Sequence, residues 1–213
     1  VKGPSDFVTN SDKKTEKIII EELLKSRKHY SVISEETGEV KNSDKDNVWI
    51  IDPIDGTTNF MHGIPHFAIS IAHIQNDQLE AGMVYDPTRD ETFWATRGGG
   101  CFLNNTRLRV SARRSLNTAV LATGIPFGDR LGKEEMLNAI VPVMNKTAGL
   151  RRFGAASLDL AYTAAGRFDA FWEMSSFSMA SMTFNDIRRH SAAFGDLSHS
   201  VACGEHWRRM LRF

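Results

Sequence analysis

Asp52 and Asp55 stand three residues apart, where the apolar run Val48-Trp49-Ile50-Ile51 gives way to Pro53, Ile54 and Gly56. Four consecutive apolar residues read as a buried strand. Two carboxylates at its end carry a large desolvation cost unless a positive charge sits between them. Pro53 keeps the segment out of a helix and Gly56 permits a sharp turn. Both carboxylates can therefore converge on one point, with the Ile54 carbonyl between them. An oxygen-only donor set of this kind suits Mg²⁺, with Mn²⁺ as a substitute, rather than zinc. Gly56, Thr57 and Thr58 follow with backbone N–H groups and hydroxyls at a helix start, where a phosphate can be held. The plainer reading of Asp-Pro-Ile-Asp-Gly is an acidic turn with no ligand.

The surrounding pattern supplies elements to position these groups. Thr9 with Asp12 resembles a capping box, and Ile18, Ile19, Ile20, Leu23 and Leu24 recur at helical spacing, which predicts a helix over Ser11 to Lys28. Asp12 then either favours the helix N-terminus or, from that place, orients a water. Tyr30 to Ser34 reads as a strand ending in Glu35 and Glu36. Adjacent glutamates are usually a solvated pair; a second strand ending in carboxylates just before the first argues for a shared site. Thr37 to Asn47 is polar and reads as a mobile loop.

Phe67–Ile74, Glu80–Asp86, Glu91–Ala95, Cys101–Leu103 and Thr106–Val110 are short runs separated by turn dipeptides, which predicts an antiparallel meander. Gly98-Gly99-Gly100 lacks the Lys-Ser/Thr of a phosphate loop and belongs to a hairpin. His62, His66 and His73 are read as structural, because ligation by them would call for a softer metal. Further on, Thr118–Ala122 reads as a strand, Lys133–Asn145 as a helix and Gly149–Arg152 as a strand. A helix then runs from Gly154-Ala155-Ala156-Ser157 to about Ala165, and Phe168–Trp172 is a strand ending in Glu173. This alternation is that of an α/β half. The Gly-Ala-Ala-Ser start either holds a polar ligand on its N–H groups or is a closely packed helix start.

Composition bounds the rest. The 213 residues are 41% hydrophobic and 24% charged with a formal net charge of zero, so nothing advertises direct nucleic-acid binding or an anionic membrane. No apolar run reaches the ~18 residues of a membrane span, and the opening Val-Lys-Gly-Pro-Ser-Asp-Phe lacks the apolar core of a signal peptide. Cys101 and Cys203 make no disulfide framework. A cytoplasmic protein is expected.

The string Trp49-Ile-Ile-Asp-Pro-Ile-Asp-Gly-Thr-Thr-Asn-Phe60 closely resembles the first signature of the inositol monophosphatase family, within the lithium-sensitive, Mg²⁺-dependent phosphatases. The resemblance runs from Lys2 to Glu173. It implies an α+β fold with an α/β half, a layered α-β-α-β-α sandwich of the inositol monophosphatase and fructose-bisphosphatase type. It divides the chain into a metal- and phosphate-binding half, residues 1–115, and a substrate-recognition half, residues 116–213. It implies a phosphomonoesterase for inositol monophosphate or a related sugar phosphate, inhibited by Li⁺ or Ca²⁺, working as a homodimer. A nucleotide or histidinol phosphate substrate, or an inactive relative associated with the transcription machinery, are the alternatives.

Residue by residue, the resemblance makes Glu35, Asp52, the Ile54 carbonyl and Asp55 metal ligands, and pairs Asp12 with Thr57 to orient the attacking water. Gly56 and Thr57 N–H groups receive the phosphoryl oxygens. Gly154, Ala155 and Ala156 contact substrate, together with Ile54 and Asp55, and Glu173 accepts from a sugar hydroxyl. After Glu173 the resemblance fails: the second signature, Trp-Asp-x-Ala-Ala-Gly, is missing, and no carboxylate appears before Asp186. Divergence, a shifted reading frame or absent residues would each produce such a tail, and the latter two are favoured. A third metal carboxylate is then missing from residues 174–213, and weaker Mg²⁺ binding is expected.

Overall fold

Strand β3 (Asp44–Asp55) runs through an eight-stranded sheet, and the acids singled out above lie at its end. The computed structural model describes residues 10–125, 127, 133–173 and 200–203. Helix α1 (Asn10–Ser26) leads into β1 (Tyr30–Ser34), β2 (Gly38–Val40) and β3. The short helix α2 (Thr57–Met61) is followed by β4 (Ala68–Gln75), β5 (Gln78–Asp86), β6 (Glu91–Thr96), β7 (Gly100–Leu103) and β8 (Thr106–Arg107). The strand order is β2-β1-β3-β4-β5-β6-β7-β8. Strands β1 and β3 are parallel, with Ser34 opposite Ile51, and β4 to β8 form the antiparallel meander. Parallel neighbours end at the same edge of a sheet. Glu35 and Asp52, which follow the paired residues, therefore emerge side by side.

A second sheet begins after a 3₁₀ turn (Leu116–Thr118). Strand β9 (Val120–Gly124), helix α3 (Lys133–Met144), β10 (Gly149–Arg151), α4 (Ala156–Ala164) and β11 (Ala170–Glu173) alternate in sequence. The order is β10-β9-β11-β12, the first three parallel and β12 (Ser200–Cys203) antiparallel to β11. Helix α4 is buried on every side from Ser157 to Ala164, as befits a helix between two layers. It touches β4 and β5 of the first sheet and β9, β11 and β12 of the second. Leu158, Ala161 and Tyr162 share one core with Ala68, Val84 and Phe93 on one side and Ala122 and Phe171 on the other. With α1 against β1 and β3 and α3 against β10, the layers run α-β-α-β-α, the sandwich implied by the resemblance.

Several element boundaries differ from the sequence expectation. The polar segment 37–47 is no loop: Gly38–Val40 pairs with β1, and Asp44 to Asn47 extend β3. Polar side chains there bond to main chain in place of an apolar face. The Asn42 side chain donates to the Tyr30 carbonyl at 2.7 Å, and Asp44 Oδ1 accepts the N–H groups of Asp46 and Asn47. Helix α1 ends at Ser26 rather than Lys28, and β8 stops at Arg107 rather than Val110. Thr9 of the capping box, and the atypical segment 174–199 with Asp186, lie outside the described residues. No helix among the described residues is long and apolar enough to cross a membrane.

Candidate active site

A spacing of three puts two side chains of a regular strand on opposite faces. Between Asp52 and Asp55, β3 advances three residues while β4 advances two, from Ser70 to Ala68. This one-residue bulge restores a common side, and Pro53, which has no N–H to lend to a ladder, sits inside it. The Glu35 N–H donates to the Ile51 carbonyl at 3.2 Å, which continues the β1–β3 pairing past Ser34 and holds Glu35 beside Asp52. Asp52 is buried, and its Oδ1 accepts the Ile54 N–H at 3.2 Å.

The electrostatics register this convergence. Burial, the charge of Asp55, and both the charge of and a hydrogen bond with Glu35 lift the Asp52 carboxyl well above the usual carboxylate range. Burial also raises Asp55, opposed by its bonds to Ser157, with Glu35 adding to the rise. Acids held against acids in this way mark sites that take up a cation.

Around them stand the hydroxyls. Thr57 Oγ1 lies 3.0 Å from the Ile54 carbonyl and 3.4 Å from Asp12 Oδ1, and its single proton serves one of them at a time. Asp12 is buried in the first turn of α1. One turn on, Glu16 is also buried and accepts the Glu36 N–H at 2.9 Å and the Thr37 hydroxyl, which fixes the turn that carries Glu35. The sequence reading missed Glu16, although its spacing of four from Asp12 places both acids on one helix face.

Gly56 has φ 90°, and a Cβ there would meet the Ala155 Cβ and the His66 carbonyl at 3.1 Å, so only glycine fits. Asp55 Oδ2 crosses between the sheets to accept the Ser157 N–H at 2.7 Å and the Ser157 hydroxyl, and also bonds the Ala156 N–H. Of the two readings of Gly154-Ala155-Ala156-Ser157, the polar ligand at this helix start is Asp55 itself, and Ala155 is fully buried. Glu173 ends β11 beside Gly124, packed over that glycine. Asp159 feels both Asp55 and Glu173, so the Glu173 carboxylate shares this region with the acids of the first sheet.

His62, His66 and His73 stand in packing and main-chain contacts. His66 stacks on Phe153 at 4.8 Å, and His73 lies between Tyr30 and Trp49 with Nε2 3.0 Å from Asn47 Oδ1. His62 closes α2 through its N–H.

Among the described residues, no three His, Cys, Asp or Glu side chains stand in metal-ligand geometry. Glu35 and Asp52 bond to each other, and Asp55 is drawn to Ser157. The chemistry of the set nevertheless fits a hard divalent cation: oxygen donors only, with Asp55 and Glu35 raising the proton affinity of Asp52. A carboxylate has a second oxygen, so the bonds at Asp55 Oδ2 leave Oδ1 for such a cation.

Residues 1–184 match the model of the inositol monophosphatase family. An inositol-1-monophosphatase of Rhizobium meliloti is 52% identical over 173 residues, covering 81% of this chain and 65% of that relative. The Nus factor SuhB of Escherichia coli is 49% identical over 173 residues, with the same coverage of 81% and 65%. The crystal structure of the extragenic suppressor protein suhB from Bartonella henselae superposes with a TM-score of 0.93 at 42% identity, covering 99% of this chain and 85% of that one. The chain thus spans about two thirds of the length of these curated relatives.

Proposed function

Because the chain belongs to the inositol monophosphatase family, we propose that it is a metal-dependent phosphomonoesterase for inositol monophosphate or a related sugar phosphate. One observation carries the reading: buried Asp52 is set against Asp55 and Glu35, an arrangement that is costly until a cation is taken up. Glu35, Asp52, the Ile54 carbonyl and Asp55 would hold Mg²⁺, with Mn²⁺ as a substitute and Li⁺ or Ca²⁺ as inhibitors. Bound there, the cation supplies a Lewis acid that lowers the pKa of a water and neutralises charge on the phosphoryl and leaving oxygens.

The chain's own groups do the rest. With its proton directed to the Ile54 carbonyl, Thr57 Oγ1 accepts from the attacking water and orients it, and Asp12 takes a water proton as base. The N–H groups of Gly56 and Thr57 receive the phosphoryl oxygens as charge grows on them. Glu173 accepts from a hydroxyl of the alcohol.

The test is phosphate release from inositol 1-phosphate as a function of Mg²⁺, with and without lithium. Release that saturates in Mg²⁺ and falls with lithium is expected; none at any Mg²⁺ concentration overturns the reading. The name of the Escherichia coli relative, Nus factor SuhB, favours a second reading, association with the transcription machinery, which needs no turnover. Other small phosphates, nucleotide or histidinol phosphate, are compared in the same assay. A homodimer is part of the proposal, checked by sedimentation, as is a cytoplasmic location, checked by fractionation.

A further inference from the structure

We propose that Ser157 is a positioning residue for Asp55: its hydroxyl and N–H hold one carboxylate oxygen so that the other is presented to a divalent cation shared with Asp52 and Glu35. The inference rests on the metal reading above and adds to it a residue from the other sheet.

The first N–H groups of a helix have no partner within it, and buried ones must find an acceptor elsewhere. The N-cap of α4 is Ala155, which makes no side-chain cap bond. Asp55 supplies the acceptor from 102 residues away. Its Oδ2 takes the Ser157 N–H at 2.7 Å and the Ser157 hydroxyl, while the Ala156 N–H adds a further bond to the carboxylate. Two of these donors are main chain and would be present whatever side chains the helix carried. The hydroxyl depends on serine.

Ser157 is fully buried, so its hydroxyl has no solvent to turn to. Among the described residues, Asp52 receives no such donor from the other half. Its main-chain donor is Ile54, two residues along its own strand. Of the two acids of β3, Asp55 is the one held in position from the other sheet.

The experiment is Mg²⁺ binding by calorimetry on the full chain, with the thermal midpoint measured in the presence and absence of Mg²⁺. Ser157→Ala keeps both main-chain donors. It is expected to weaken Mg²⁺ about tenfold, the scale found for groups that orient a metal ligand, and to shrink the rise in midpoint that Mg²⁺ produces. Ser157→Thr, which keeps a hydroxyl, is expected to bind within about twofold of the parent chain. Unchanged affinity in Ser157→Ala, with affinity lost in Asp55→Ala, overturns the role of Ser157 and leaves the metal reading standing. Unchanged affinity in Asp55→Ala overturns the metal reading, and this inference with it. Should Ser157→Ala fail to fold, the threonine variant decides, and a folded Ser157→Thr weakened tenfold overturns the inference.

Discussion

In the half of the molecule built on the eight-stranded sheet, acids from two strands converge, Glu35 after β1 with Asp52 and Asp55 of β3, and Asp12 of α1 is reached through Thr57. In the half built on the four-stranded sheet, buried Asp169 is surrounded by donors. Asp169 accepts from the Ser111 hydroxyl, the Arg113 guanidinium and the Val120 N–H, and so serves as a structural joint. An acid among donors holds a fold together; an acid among acids stores a cost that a bound cation relieves. Between the halves, the start of α4 gives its donors to Asp55, and Asn59 reaches from α2 to the Phe153 carbonyl.

Four substitutions test this contrast, in falling order of effect. Asp52→Asn keeps an acceptor for the Ile54 N–H while removing one charge from the cluster. Mg²⁺-dependent phosphate release is expected to fall on the order of 10³-fold, the scale of one lost preorganised electrostatic contact, while the Mg²⁺-free thermal midpoint does not fall. A drop in that midpoint would place Asp52 with Asp169 as a structural acid. Asn59→Ala removes the donor shared by the carbonyls of His66 and Phe153, both at 2.7 Å. Denaturant unfolding is expected to show a loss of about 3 kcal/mol from the unpaired carbonyls. A loss near zero would mean that the halves do not lean on this bond.

The third concerns Asp159, an acid of the second half that faces the first. It lies 3.9 Å from His66, both buried. Burial first, then Asp55 and Glu173, push Asp159 up to about 8, and burial with Arg89 lowers His66 to about 4. Between pH 4 and 6.5 the folded chain keeps a proton on Asp159 while the unfolded chain keeps one on the imidazole, so the pair leaves stability level. Above 6.5 the unfolded chain has released its proton and folded Asp159 has not, so stability falls toward pH 8, by about 1–2 kcal/mol. Asp159→Asn is expected to remove that slope from thermal midpoints taken between pH 6.5 and 8. A slope that survives would assign it to other groups. The smallest effect is Asp55→Ala without Mg²⁺: loss of the acceptor at α4 is expected to cost about 1 kcal/mol, where Asp52→Asn brings no loss. An equal loss in the two would erase the distinction between them.

Much of the first sheet was legible because its cues are local. An apolar run closing in Asp52, Pro53, Asp55 and Gly56 announces a buried strand, its end and its acids within a few residues. Asp12 and Glu35 came through the resemblance of their segments to a known family, and the structure places both near that strand end. The bond between Asp55 and Ser157 was hidden by distance: no periodicity links residues 102 apart, and small residues at a helix start look the same whether they serve packing or a partner. The strand character of 38–47 was masked by side chains that bond to the main chain, since polarity was taken for a loop. Glu16 escaped because a helix bearing three consecutive isoleucines suggests an apolar buried face, whereas Ile18 is half exposed and the acids turn inward.

The span of that Asp55–Ser157 bond also orders events in time. Chains grow from the N-terminus at about 5–20 residues per second, so Asp55 leaves the ribosome some 5–20 s before the helix start that holds it. During that interval a nascent chain can pair its meander, whose contacts are local, but its cluster of acids has nothing from the second sheet to steady it. The bond that ties this cluster to the second sheet therefore forms late, when α4 docks.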